Sequence, residues 1–199
     1  IMMRTYNQNY IENFASYSSV PVINALTDDH HPCQLLADMQ TFIELRGSIE
    51  GKKVVWIGDG NNMCQTYMQA ADMLDFELTI ACPEGFEPCT NLLDQLKQNV
   101  TVIHDPVKAV SGAHLVTTDT WASMGQESEK NIREIAFKDF QVNEKLMDLS
   151  GDRSIFMHCL PAYRGQEINE TIMDSKYSAV WIAAENRLHS QKALIEFLL

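Results

Sequence analysis

From Lys53 onward the sequence alternates short apolar runs with amphipathic ones, and that alternation leaves few folds open. Val54–Ile57, Leu78–Ala81, Thr101–Ile103, Leu115–Thr117, Ile155–Met157 and Ala179–Ile182 read as strands. Met63–Leu74, Asn91–Lys97, Pro106–Val110 and Asn143–Met147 read as the helices between them. Continuously apolar strands linked through helices form a sheet buried on both faces. The expected fold class is therefore α/β: a doubly wound parallel sheet with helices on each side. Ahead of it, Ile1–Tyr6, Tyr10–Tyr17 and Val20–Asn24 read as strand, helix and strand, the remnant of a second α/β domain that opens inside its sheet. Pro32–Leu45 is the clearest helix, with Pro32 at its first position and Leu35, Leu36, Met39, Phe42 and Ile43 at helical period. Ala184–Leu199 is a final helix, and Gln126–Glu134 is the most polar stretch, expected as a surface excursion.

Fifteen basic against twenty-seven acidic residues give a formal net charge of −12. That balance does not suit non-specific binding to nucleic acid. It also means that an anionic substrate needs locally placed arginines or helix N-termini. No apolar run is long enough to span a bilayer, so no membrane partner is expected. Cys33, Cys64, Cys82, Cys89 and Cys159 form an odd, sparse set, which fits a reduced cytoplasmic setting better than a disulfide framework.

Residues able to carry chemistry collect where strands end. Phe156–Gly165 (FMHCLPAYRG) places His158, Cys159 and Leu160 at the exit of a strand, before Pro161. A thiol at such a corner is either packed or placed for reaction. Gly58-Asp59-Gly60-Asn61-Asn62-Met63 also follows a strand and opens a helix. It is similar to a dinucleotide fingerprint with Met63 where the third glycine belongs, and Glu77 in the next strand is a candidate ribose partner; a plain tight turn is the alternative. His30, His31 and Cys33 precede a helix without any metal-binding spacing, so no metal is expected there. Asp119 follows a strand, where a cap or turn role competes with a ligand role. Arg4 and Arg187 are either surface cations or anion contacts.

The stretches HCLPAYRG from His158, HPCQLLADMQT from His31, WIGDGNNM from Trp56, TDTWASMG from Thr118 and AENRLHSQKAL from Ala184 come in the order found in the carbamoyltransferases. The chain resembles that family along nearly its whole length, in the form carried by its ornithine-specific members. The resemblance implies transfer of the carbamoyl group of carbamoyl phosphate to the δ-amine of L-ornithine, giving L-citrulline and phosphate in arginine metabolism, with no cofactor. It implies that residues 1–45 end a carbamoyl-phosphate domain, that 46–183 form the ornithine domain, and that 184–199 pack back on the first. His31 would polarise the carbamoyl oxygen, while Gln34 and the Leu160 carbonyl would hold the carbamoyl nitrogen. Arg4 would help hold carbamoyl phosphate, and Arg187 would contact its carbamoyl end. Asn62, Asp119, Ser123 and Met124 would take ornithine, the last two from a segment closing over it. Asp119 would hold the α-amino group, Cys159 would lie by the δ-amine, and the two together would be the candidate acceptors of its proton. Homotrimers, or multiples of them, are the implied assembly.

The sequence departs from the family pattern in places. No SxRTR-type phosphate loop is found, so the chain alone is expected not to turn over carbamoyl phosphate. Cys64-Gln65-Thr66 stands where a small residue, Asn and Ser are usual, and Ile182-Ala183 where an acidic residue is common. Two alternatives stay open: a non-catalytic ornithine-binding or regulatory module, and a carbamoyltransferase for another amine such as putrescine. The Ser123-Met124-Gly125 segment speaks against a diamine, which has no α-carboxylate to enclose. A dehydrogenase is the third reading.

Overall fold

A computed structural model describes residues 1–96, 98–122 and 127–199. Its centre is a five-stranded parallel sheet of β3 (Lys53–Ile57), β4 (Glu77–Ala81), β5 (Val100–Ile103), β6 (Leu115–Thr118) and β7 (Ile155–His158), in the order β5-β4-β3-β6-β7. The chain starts in the middle, runs to one edge, then returns past β3 to build the other half. Register is unbroken, with Val54 opposite both Leu78 and Leu115, and Leu115 opposite Ile155.

Alternation along the strands separates two cores. Val54 and Trp56 of β3 face one side, packed with Tyr67 and Met68 of α3 (Asn62–Leu74) and Phe42 of α2 (Pro32–Arg46). Val55 and Ile57 face the other, with Val110 of α5 (Pro106–Val110), Phe137 and Met147. Met147 lies on α7 (Glu144–Ser150), and Phe137 ends the short α6 (Lys130–Ala136). Beyond α3, α4 (Thr90–Leu96) leans on the first core through Leu92, Leu93 and Leu96. Both faces are covered, as the alternation requires.

The smaller unit pairs β1 (Met2–Arg4) with β2 (Ile23–Leu26) in parallel, joined through α1 (Gln8–Tyr17). The long α8 (Val180–Leu198) packs along α2, where Asn186 donates to Thr41 Oγ1 and Glu44 Oε2, both at 2.9 Å.

Two strand expectations shift. Val20–Asn24 moves to Ile23–Leu26, because Pro21 has no N–H to offer a ladder and only its carbonyl is engaged, by the chain's amino terminus at 2.8 Å. Ala179–Ile182 is not a strand. Parallel pairing with β7 is one bridge at Ser178, after which Val180 begins α8. α8 therefore starts four residues ahead of the expected Ala184. Ala183 is fully buried in its first turn, where the acidic residue usual in the family would need a buried partner.

Candidate active site

The strand order reverses between β3 and β6, which in an open parallel sheet is where a crevice forms outside the carboxyl ends. The loops after β3, β6 and β7 meet there. With β1 and the start of α2 they enclose a cleft of about 850 Å³ lined by Arg4, His31, Asn61, Asn62, Asp119, Cys159 and Leu160, among others. Of the expected site residues, Gln34 and Arg187 lie outside this lining, bound to one another beneath His31. Ser123 and Met124 lie outside the described residues.

Asp119 is the hub. Its Oδ1 accepts from the Thr120 N–H at 2.7 Å and its Oδ2 from Asn61 Nδ2 at 2.8 Å. Asn61 caps α3, its Oδ1 accepting from the N–H groups of Met63 and Cys64 at 3.0 and 3.1 Å. Both N–H groups hold that oxygen, so the amide nitrogen must face Asp119. Sequence reading singled out Asn62 and passed over Asn61. The signal was there: an Asn just ahead of a helix spends its oxygen on capping and keeps two donors for something else. Asn62 lines the same cleft, and its Nδ2 donates to the Thr27 carbonyl at 2.7 Å, tying the turn before α2 to α3.

His31 sits at the N-terminus of α2, its backbone N–H held by Thr66 Oγ1 at 2.8 Å. The hydroxyl of Thr66 donates in turn to the Asn62 carbonyl at 2.6 Å, so this unusual threonine joins α2 to α3. Burial, then the Arg187 charge, lowers the His31 imidazole to about 4, against a smaller opposing pull from Asp119. It is neutral at pH 7, a donor of one N–H that does not act as an acid. Among the described residues, His31 Nδ1 and Arg187 Nε are buried without a hydrogen-bond partner.

The Cys159 thiol lies within 4.8 Å of a carboxylate oxygen of Asp119. Burial, followed by the Asp119 carboxylate, pushes that thiol well above its ordinary value. It therefore stays protonated at neutral pH. Iodoacetamide at pH 7.5 is expected to label exposed Cys89 well before Cys159, with Cys159 labelling still rising above pH 9. Peptide mass spectrometry measures both sites, and equal rates at pH 7.5 would contradict the protonated thiol.

Behind Cys159, the turn is fixed by His158. Its Nδ1 accepts the Leu160 N–H at 2.9 Å, and its Nε2 donates to the fully buried Glu167 at 3.1 Å. Leu160 has φ 56° and precedes a cis peptide to Pro161. One ligand atom each from Asp119, His158 and Cys159 lies within 4.8 Å of the others. Both nitrogens of His158 are already committed, so this trio is a hydrogen-bonded corner and not a metal cradle.

The remaining wall departs from expectation. Within the polar stretch Gln126–Glu134, Arg133 is buried, its Nη1 2.9 Å from Asp59 Oδ2 and from the Trp121 carbonyl. Its guanidinium also lies 5.1 Å from the centre of the Phe86 ring. Asp59, Phe86 and Arg133 all line the cleft.

The dinucleotide alternative does not survive the geometry. Glu77 opens β4 opposite Lys53, about 13 Å from the end of the strand that meets the cleft. Gly60 is required by the fold itself, because a Cβ there would lie 2.2 Å from the Pro88 nitrogen.

Comparisons with known proteins agree along the chain. Residues 50–198 match the family model for the aspartate/ornithine carbamoyltransferase Asp/Orn binding domain, and residues 1–44 match the carbamoyl-P binding domain. A protein from Acinetobacter baumannii named ornithine carbamoyltransferase is 60% identical over all 199 residues, and the chain spans 65% of its length. One of the same name from Methylococcus capsulatus is also 60% identical, with 67% of its length covered. The crystal structure of ornithine carbamoyltransferase from Burkholderia thailandensis superposes with a TM-score of 0.92 at 48% identity, covering all of this chain and 65% of that one.

Proposed function

Since the chain belongs to the aspartate/ornithine carbamoyltransferase family, we propose that its protein transfers the carbamoyl group of carbamoyl phosphate to the δ-amine of L-ornithine. The observation that carries this reading is the meeting of His31, Asp119 and Cys159, from three separate stretches, in one cleft with Arg4.

In the proposed step the δ-nitrogen attacks the carbamoyl carbon. The new C–N bond forms, the bond from that carbon to the phosphate-bridging oxygen breaks, and phosphate leaves with the electron pair. Charge rises on the carbamoyl oxygen as the nitrogen approaches, and the N–H of neutral His31 is a preplaced donor for it. An alkyl ammonium cannot attack, so a proton must first be lost; Asp119, beside Cys159, is the acceptor in this reading, and departing phosphate is an alternative carrier. Gln34 and the Leu160 carbonyl take the carbamoyl amide, Arg187 contacts the carbamoyl end, and Arg4 helps hold carbamoyl phosphate. Asn62 and the N-terminus of α3 suit the α-carboxylate of ornithine. Ser123 and Met124 belong to the same proposal. By the same reading the complete protein is a cytoplasmic homotrimer or a multiple of one, its cysteines free as in the structure.

The test is citrulline formation by the complete protein from carbamoyl phosphate and ornithine, with putrescine in a parallel reaction. Citrulline well ahead of carbamoylputrescine supports the proposal. Faster turnover of putrescine would move it to a diamine enzyme. Ornithine binding without turnover would favour the non-catalytic module.

A further inference from the structure

A chain of buried polar groups runs away from the cleft beneath His31, and the reaction as proposed makes no use of its centre. Gln34 and Asp38 lie one turn apart on α2, both almost wholly buried. Gln34 Nε2 donates to Asp38 Oδ1 at 2.9 Å, and the Tyr67 hydroxyl on α3 donates to Asp38 Oδ2 at 2.8 Å. At the other end Arg187 Nη1, from α8, donates to Gln34 Oε1 at 2.6 Å.

We propose that Asp38 is a positioning residue that fixes which way the Gln34 amide faces, and so presents Gln34 Oε1 as the acceptor for the carbamoyl nitrogen. This rests on the reading of Gln34 given above. The argument is one of donors and acceptors. An ionised carboxylate only accepts and a guanidinium only donates. Between the two, the Gln34 amide has a single orientation, nitrogen to Asp38 and oxygen to Arg187. Reversed, it would set a carbonyl oxygen against a carboxylate and an NH₂ against a guanidinium, in a buried site where unmatched polar groups are costly. Fixed as it is, Oε1 keeps a second lone pair for an incoming amide. Inorganic phosphate has no amide, so this device bears on the carbamoyl half of the substrate alone.

Asp38 is poised to serve. Burial raises its carboxyl to about 6, against the opposing hydrogen bonds of Gln34 and Tyr67 and the charges of Arg187 and His158. Cys159, which also senses Asp38, is protonated. At neutral pH Asp38 is therefore a carboxylate.

The test compares KM for carbamoyl phosphate with the Ki of inorganic phosphate in the complete protein. Asp38→Asn keeps the shape but offers either a donor or an acceptor, so the Gln34 orientation is no longer enforced. Its KM for carbamoyl phosphate is expected to rise about fivefold while the phosphate Ki stays within about twofold. Adding Tyr67→Phe removes the alternative acceptor for the new amide nitrogen and turns that nitrogen onto Gln34; the rise should reach about twentyfold. Gln34→Leu is the control for the underlying reading. If it leaves the ratio of KM to Ki unchanged, Gln34 is not the amide contact and both ideas fall. If Gln34→Leu shifts the ratio and the Asp38 variants do not, or weaken both ligands alike, the positioning role is overturned and the contact stands. Should Asp38→Asn not fold, the side-chain amide signal of ¹⁵N-labelled Gln34 in the unaltered protein decides. It must move as pH passes through about 6, and a flat signal refutes the coupling.

Discussion

Asp119→Asn is expected to be the most damaging single-atom change in the molecule, and to fall on one substrate. The carboxylate accepts from two donors whose directions are set elsewhere: the Thr120 N–H by the backbone, and Asn61 Nδ2 by the capping of α3. An amide at 119 must point its own nitrogen at one of them. The variant also loses the negative charge that would hold an ammonium group and the basic site that would take a proton from the δ-amine. Ornithine affinity should fall by about 1–3 kcal/mol, the range for a hydrogen bond to a charged group. Turnover should fall about 10²-fold or more through loss of the general base. Carbamoyl phosphate binding, proposed to draw on other residues, should change little. Calorimetry with each substrate separates the two. Equal losses on both sides would mean that Asp119 holds the corner together and does not address ornithine.

The corners that make this cleft were legible because each is written locally. A strand run and then a break stand at Asn61, Asp119 and Cys159, and the family-like motifs cover all three. Pro106–Val110 was legible to the residue, since Asp105 and Pro106 spell a helix start in adjacent letters. What failed was whatever depended on a distant partner. Ala179–Ile182 is four apolar residues, a pattern shared by a buried strand and the first turn of a buried helix. Only the position of β7, which accepts a single bridge at Ser178, decides between them. The Asp38 network was invisible for a similar reason. Its members sit on α2, α3 and α8, and nothing in the local sequence says that Arg187 will reach Gln34.

Arg133 is the plainest case, because a charged stretch is usually a solvated face and this one is not. Its side chain is 7% exposed and its partner Asp59 10%. It pairs with the Asp59 carboxylate and with Glu129, donates to the Trp121 carbonyl and lies over Phe86, which packs on Phe137 at 4.8 Å. One guanidinium thus joins the loops after β3, β4 and β6 on the cleft's outer wall. Arg133→Met fills similar volume but leaves Asp59 buried and alone. Burial already holds that carboxyl above its ordinary value against the pull of Arg133, so without the arginine it will tend to bind a proton. That escape limits the penalty to about 3 kcal/mol, the low end for breaking a buried pair. For a chain of this size the melting temperature should drop by about 6–12 °C. Asp59→Asn added to Arg133→Met should recover part of the loss, because the stranded charge is then gone while the Trp121 carbonyl remains unpaired. Arg133→Lys should fall between, keeping charge without the fork that reaches Asp59, the Trp121 carbonyl and Glu129. A drop below 2 °C for Arg133→Met would show that the pair adds nothing to the fold and that the loops are held by Phe86 and Phe137 alone.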